Sequence, residues 1–479
     1  MNDILKQITE TVGSKKDLLI DAADQIYGFA ELSYEEERSS SLLIRLLEQE
    51  GFIVNKGVAG IPTAFVGTFG TRRPVIGFLG EYDALDGLSQ EGANPKKCPV
   101  IPGAPGHGCG HSLLGTGSLG AAIAVKEYLK ANNMDGTVLY FGCPAEEGAG
   151  SKQFMARAGL FDDCDFCFTW HPSTLNDVSP DSGTAIMGAN FSFKGVAAHA
   201  GGSPWLGRSA LDAAELMSVG CNYLREHIED GQRIHYAYSD VGGTAPNVVQ
   251  ATSKVKYEVR ARTVDAMKQL FERVVKVAKG AALMTETEME YEITMAFSDC
   301  SSNRVLSEIA SRCLQEVGAP KWEETDFALA KQFLDSYDTI QRNGIETSIK
   351  ERFGEDALGE ILKASLHTGV IPYDYSKRRY MGGSSDVGDV SYATPTCELH
   401  VATCCIGNIG HTWQMAGQAN SSIGYKGMLT AATAMAYSAI TVAQDPEIMQ
   451  KAREEYIKKS GGRYVCPLPD DVLPPIGRY

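Results

Sequence analysis

From Pro74 to Gly80 the chain reads PVIGFLG, without one polar side chain. A strand with one face in water would alternate apolar and polar residues. This run therefore predicts a strand buried on both faces, as in a helix-covered sheet. Two further strand-like runs follow, GTVLYFGC (136–143) and DFCFTW (165–170), the latter ending at His171. Helical patterns lie around them: LLGTGSLGAAIAVKEYLKANN from Leu113 and SKQFMARAGLF from Ser151. Strands alternating with helices predict an α/β domain with a largely parallel sheet flanked by helices.

From about Ile186 the character changes. IMGANFSFKGVAAHA alternates like a half-exposed strand, and the elements up to EMEYEITMAF follow the order β-α-β-β-α-β. That order is ferredoxin-like, and the unit reads as an insertion, with the larger domain resuming near Asn303. At 479 residues the chain exceeds the size at which a single core usually stops growing. The expected division is a catalytic domain in two parts, 1–185 and 299–479, with an inserted domain at 186–298. Residues 320–375 are helical, charged and aromatic, and carry no chemical motif.

The formal net charge of -16 argues against nucleic acid or an anionic membrane as a partner. The amphipathic, charge-rich N-terminus lacks the pattern of a signal peptide, and no apolar run is long enough to span a membrane. A cytoplasmic protein is expected. Its twelve cysteines are then poor evidence for disulfides. Cys164 with Cys167, and the vicinal Cys404 and Cys405, read as core.

The chemistry lies in where the polar residues fall. Asp83 follows VIGFLG, Glu146 and Glu147 follow GTVLYFGC, His171 follows DFCFTW, Cys109 and His111 precede a helix, and His411 comes after HVATCCIG. In open α/β sheets the crevice beyond the carboxyl ends of the strands is the ligand site. Singly, each residue has a bland reading: a hydrogen-bonded histidine, a solvated loop of glutamates, an inert thiol. Together they make a set of thiolate, imidazole and carboxylate, which suits zinc and other divalent first-row ions. More candidates than one ion needs suggest two. The rival reading is a Cys109 nucleophile partnered by His111, which would be insensitive to chelators.

The segments GHGCGHSLLGTGSLGAA, CPAEEGAG, TWHP, GVAAHAGGSP, APNVV and GHTWQ resemble the amidohydrolase branch of the M20 metallopeptidase family. The resemblance implies two divalent ions, Zn or Mn first and Co or Ni as alternatives, held by Cys109, His111, Glu147, His171 and His411. It implies Glu146 as the general base for a metal-activated water, and Asp83 behind the site orienting a ligand. The inserted domain would be a lid that also dimerises. There His199 would reach a partner's site to bind the oxyanion, while Asn247 and Arg260 hold the substrate carboxylate. The activity implied is hydrolysis of the amide bond of small N-acyl amino acids, p-aminobenzoyl-glutamate-like conjugates above all. The alternatives are a dipeptidase of the β-alanyl-lysine type, or a subunit that needs a related chain for turnover. A homodimer is expected, or a heteromer with a related subunit. The chain departs from the branch at Ser112, where Asp is usual, and at EYDALDGL, which lacks a usual proline.

Overall fold

The computed structural model describes residues 3–477. The described strands are β1 (Ile53–Lys56), β2 (Phe65–Gly70), β3 (Val75–Gly80), β4 (Thr137–Gly142), β5 (Phe166–Ser173), β6 (Ala185–Lys194), β7 (Arg233–Asp240), β8 (Thr252–Ala261), β9 (Glu288–Phe297) and β10 (Thr396–Ala402). They form two sheets. The larger has the order β1-β2-β4-β3-β5-β10. Its β4–β3, β3–β5 and β5–β10 pairs are parallel; β1–β2 and β2–β4 are antiparallel at one edge.

The apolar run does become a doubly covered strand. Ile76 and Phe78 of β3 join a core with the helices Asp3–Ser14, Lys16–Phe29, His111–Ala131, Arg304–Val317 and Ser422–Ala443. Leu79 points the other way, into a core with the helix Lys152–Arg157 and the inner face of the second sheet. Fully burying such a side chain contributes roughly 1.5–3 kcal/mol, which is why neither face of β3 carries a polar group. The helix His111–Ala131 packs tightly because of its glycines. A Cβ on Gly117 would come within 2.8 Å of the Trp170 indole nitrogen, whose N–H donates to the Leu114 carbonyl at 3.0 Å. This close approach fixes the helix start, and His111 with it, against β3 and β5.

Two local expectations shift. β5 runs on to Ser173, so His171 lies inside the strand and not past its end; β10 pairs alongside to Ala402↔Ser173 and prolongs the ladder. β6 is buried throughout Ala185–Ala189 and alternates only from Asn190, because its first half packs under the larger domain.

Between residues 185 and 297 the order is β6, helix Ala210–Leu224, β7, β8, helix Val264–Thr285, β9, as expected. These strands form an antiparallel sheet of order β7-β8-β6-β9. The segment without a motif folds into the helices Glu324–Asp335, Thr339–Phe353 and Glu355–Ile361. They build a third core around Phe333, Tyr337, Cys405 and Ile406. Cys164, Cys167, Cys404 and Cys405 are buried and free. Among the described residues no helix is long and apolar enough to cross a membrane.

Candidate metal centre

The carboxyl ends of β3, β4, β5 and β10 meet at one edge of the larger sheet, and the expected ligands gather there. His111 opens its helix after Gly110, which holds the left-handed φ of 83° that ends the Gly/Pro loop. Its Nδ1 is 2.8 Å from Asp83 Oδ1, and the other Asp83 oxygen accepts the Glu147 backbone N–H at 2.9 Å. Asp83 thus ties the helix start to the loop after β4. That loop is pinned from behind by buried Glu36, which accepts the Ala145 N–H at 2.8 Å. Ala145 and His411 both adopt positive φ without being glycine, at 62° and 56°. Such strain concentrates at functional sites; here it flanks the candidate base and falls on a candidate ligand.

Cys109 Sγ lies 3.4 Å from His171 Nε2, whose Nδ1 is fixed by the Pro172 carbonyl at 2.8 Å. Glu147 Oε1 lies 3.3 Å from His411 Nε2 and 4.0 Å from His111 Nε2. Two donors each about 2.1 Å from a tetrahedral ion stand about 3.4 Å apart, and a sulfur–nitrogen pair about 3.5 Å. The spacings fit. His111 Nε2 is also buried without a hydrogen bond, which costs free energy unless something else satisfies it. Donor types, spacing and the orphaned atom all suit divalent ions.

Electrostatics separate the two glutamates. Enclosure by protein, then the nearby charges of Glu81, Asp386 and Glu147, push the Glu146 carboxyl well above its ordinary range. Burial acts the same way on Glu147. The hydrogen bond from His411 and the charges of His111 and His411 outweigh it, and bring that carboxyl down to about 2. One glutamate is thus set up to exchange a proton and its neighbour to stay anionic. Burial pushes the Cys109 thiol up, the reverse of what activates a cysteine nucleophile.

Three residues of this site escaped the sequence reading: Glu81, Lys152 and Asp386. Lys152 Nζ is fully buried, 2.7 Å from Glu81 Oε1 and 2.5 Å from Asp386 Oδ1. Glu81 Oε2 is 3.3 Å from His111 Nε2. The signal for Glu81 was its place in GEYD, directly after β3; Lys152 and Asp386 lie far apart in sequence and gave none.

A cavity of about 1100 Å³ opens over the cluster. Glu146, Glu147 and His411 line it on one side, and Asn190, Glu258, Arg260 and Thr294 of the smaller sheet on the other. Pro469, Asp471, Val472, Leu473 and Pro475 of the C-terminal segment close a third wall. Arg157 anchors that segment through the carbonyls of Pro469 and Val472, at 3.2 and 2.8 Å. Arg260 bonds Ser384 Oγ at 2.9 Å. Arg262, one residue past the end of β8, stacks on Tyr380 instead. Neither His199 nor Asn247 lines the cavity. Both are exposed and next to each other: His199 bridges to Val248, and the Ala200 N–H donates to the Asn247 carbonyl at 2.9 Å. The structure sets Arg260 on the cavity wall and Asn247 beside His199.

The chain is similar to known proteins over most of its length. Peptidase family M20/M25/M40 matches residues 77–368. One of the subunits of the p-aminobenzoyl-glutamate hydrolase of Escherichia coli (strain K12) is 40% identical, over 99% of each chain. The Xaa-Arg dipeptidase of Mus musculus is 26% identical over 90% of this chain and 87% of that one. Among solved structures, an aminobenzoyl-glutamate utilization protein from Klebsiella pneumoniae matches 91% of this chain and 98% of its own, with a TM-score of 0.62 at 19% identity. The Bacillus subtilis YXEP protein, a dinuclear metal binding peptidase from the M20 family, matches 90% and 99%, with a TM-score of 0.57 at 16% identity.

Proposed function

The chain belongs to peptidase family M20/M25/M40, and from that membership we propose that it cleaves small N-acyl amino acids, foremost p-aminobenzoyl-glutamate-like conjugates. It is an amidohydrolase acting on carbon–nitrogen amide bonds. The observation that carries the reading is the cluster of Cys109, His111, Glu147, His171 and His411, of which Glu147 and His411, with Glu146, reach a cavity that Arg260 also lines. Those five residues would hold two divalent ions, Zn or Mn first. When bound, the ions lower the pKa of a water and polarise the amide carbonyl. Glu146 takes the proton of the attacking water and passes it to the leaving amine. Asp83 keeps His111 in its orientation and tautomer. Residues 186–298 act as a lid and dimerisation unit between the two parts of the catalytic domain, in a cytoplasmic protein.

Arg260 holds the carboxylate of the amino-acid part, since its planar fork matches a carboxylate. A bound carboxylate persists from ground state to transition state, so its loss chiefly raises KM. Arg260→Ala is expected to lower kcat/KM roughly ten- to a hundredfold, the worth of a charge-assisted hydrogen bond. A substrate whose carboxylate is replaced by a neutral amide should feel no penalty. Equal losses on both substrates would mean that Arg260 only secures the loop at Ser384.

A second reading has its own observation. Glu258, Glu292 and Asp471 share the cavity lining with Lys256 and Arg260, and these acids suit a cationic amino acid such as the arginine that the Xaa-Arg dipeptidase's name specifies. Hydrolysis of p-aminobenzoyl-glutamate, N-acyl glycines, β-alanyl-lysine and Xaa-Arg dipeptides by purified protein with metals supplied decides between them. Turnover of the basic dipeptides alone would overturn the first reading. No turnover until a related chain is added would mark this chain as one component of a heteromer, in keeping with the 40% identical relative, whose own name makes it one subunit of its hydrolase.

His199 stands apart from the cavity of its own chain, as a residue serving a partner's site would. Its Nδ1 accepts N–H groups from Gly201 and Gly202 at 3.2 and 3.1 Å, leaving Nε2 free to point outward. His199→Ala is expected to lower kcat ~10²–10³-fold, the loss of one oxyanion donor. Mixed dimers of His199→Ala and Glu146→Gln chains should recover part of the activity, because one site in each then holds both groups. No recovery in verified mixed dimers would remove the across-dimer role.

A further inference from the structure

Glu81 has no part in the ligand set above, yet its carboxylate is aimed at that set. His111 presents Nδ1 to Asp83 at 2.8 Å. A metal-ligating histidine commonly turns one ring nitrogen to a carboxylate in this way, which leaves the other nitrogen for the ion. Nε2 faces Glu81 Oε2 at 3.3 Å and makes no hydrogen bond. The 3.3 Å gap is close to the about 3.4 Å expected of two ligands on one tetrahedral ion.

The far side of Glu81 supports the same conclusion. Its Oε1 meets buried Lys152 Nζ at 2.7 Å. Lys152 already has a counter-ion in Asp386 at 2.5 Å, and the other Asp386 oxygen accepts the backbone N–H groups of Ser151 and Lys152 at 2.9 and 3.0 Å. Two carboxylates share one ammonium, all three nearly shut from water. With Oε1 held by Lys152, Oε2 is the oxygen left to face His111. Glu81, His111 and Glu146 bring one ligand atom each within 4.8 Å of one another.

We propose that Glu81 is a sixth protein ligand of the centre, sharing an ion with His111 and presented to it by the buried Lys152–Asp386 pair. Lys152 is then a positioning residue: it fixes which Glu81 oxygen turns to the ion. The inference rests on the two-ion reading of the site and adds one ligand to it.

The test is metal binding, with no substrate present. Chelator-stripped wild type, Glu81→Gln, Glu81→Asp and Lys152→Met are titrated with Co²⁺ against a chromophoric chelator, while the visible cobalt absorption is recorded. Circular dichroism and melting of the stripped proteins check that each is folded. Wild type should take up two ions. Glu81→Gln should hold one of them at least 100-fold more weakly, with an altered cobalt spectrum. Lys152→Met should weaken the same ion about 10–100-fold, as loss of a ligand's supporting partner does. Glu81→Asp should restore part of the affinity. Should Lys152→Met fail to fold, the two Glu81 variants decide. Two ions bound to Glu81→Gln with wild-type affinity and spectrum would overturn the inference and leave the two-ion reading intact. A wild type that binds no ion would overturn both.

Discussion

Dialysis against a chelator is expected to abolish turnover completely, and Zn, Mn, Co or Ni to restore it. The ground is the density of like charge at the centre. Glu81, Asp83, Glu146 and Glu147 gather around His111 and His411, and His111 Nε2 is left without a hydrogen bond. Without cations this arrangement has neither an electrophile for the carbonyl nor a means of acidifying water near neutral pH. Melting should respond as well. An ion that binds only the folded chain stabilises it by mass action, about 4 kcal/mol at a thousand times Kd. The stripped protein should therefore melt lower and recover with the same ions that restore activity. Alkylating Cys109 does not by itself discriminate, because it would block a ligand as readily as a nucleophile. Metal content does: full activity in protein shown to be metal-free, lost only on alkylation, would establish Cys109 as a nucleophile.

Much of this was legible in the chain because it follows from local rules. A short apolar run between charged residues, opened by proline and holding two glycines, suits a covered strand, and β3 is one. Residues just past a parallel strand must lie at its carboxyl edge. That is why Asp83, Glu146, Glu147 and His411, scattered over more than three hundred positions, could be expected together. His171 was right in place and wrong in setting. It sits within β5, because β10 extends the ladder past the point where the apolar pattern stops.

What stayed hidden depends on pairing across long sequence distances. Lys152 reads as an ordinary first residue of a short amphipathic helix; only Asp386, 234 positions on, makes it a buried charge. Glu81 reads as one acid among sixty Asp and Glu residues until His111 Nε2 is seen facing it. The half-buried His400, held by Asp177 and Glu398 at 2.9 and 3.2 Å, is likewise invisible before β10 lies beside β5. The C-terminal wall of the cavity could not be foreseen either, since nothing in PLPDDVLPP tells which groove it follows.

The Glu146 and Glu147 pair gives the sharpest separation of roles, because neighbours in one loop should fail in different ways. Glu147→Ala removes a carboxylate within 3.3 Å of His411 and 4.0 Å of His111, so the variant should lose metal and activity together. Glu146→Gln keeps size and shape, and should keep both ions while losing at least ~10²–10⁴-fold in kcat, the usual worth of general base catalysis. Enclosure and three neighbouring carboxylates raise the proton affinity of Glu146, and bound cations act in the opposite direction. The base works only when deprotonated. Wild-type kcat/KM should therefore fall as pH drops through the pKa of Glu146, and the residual activity of Glu146→Gln should lack that acid limb. Metal analysis of the same preparations is essential, since a Gln variant depleted of metal would imitate a lost base. A Glu146→Gln protein that holds two ions and turns over near the wild-type rate would place the base elsewhere, and the loop after β4 would then serve only to hold metal.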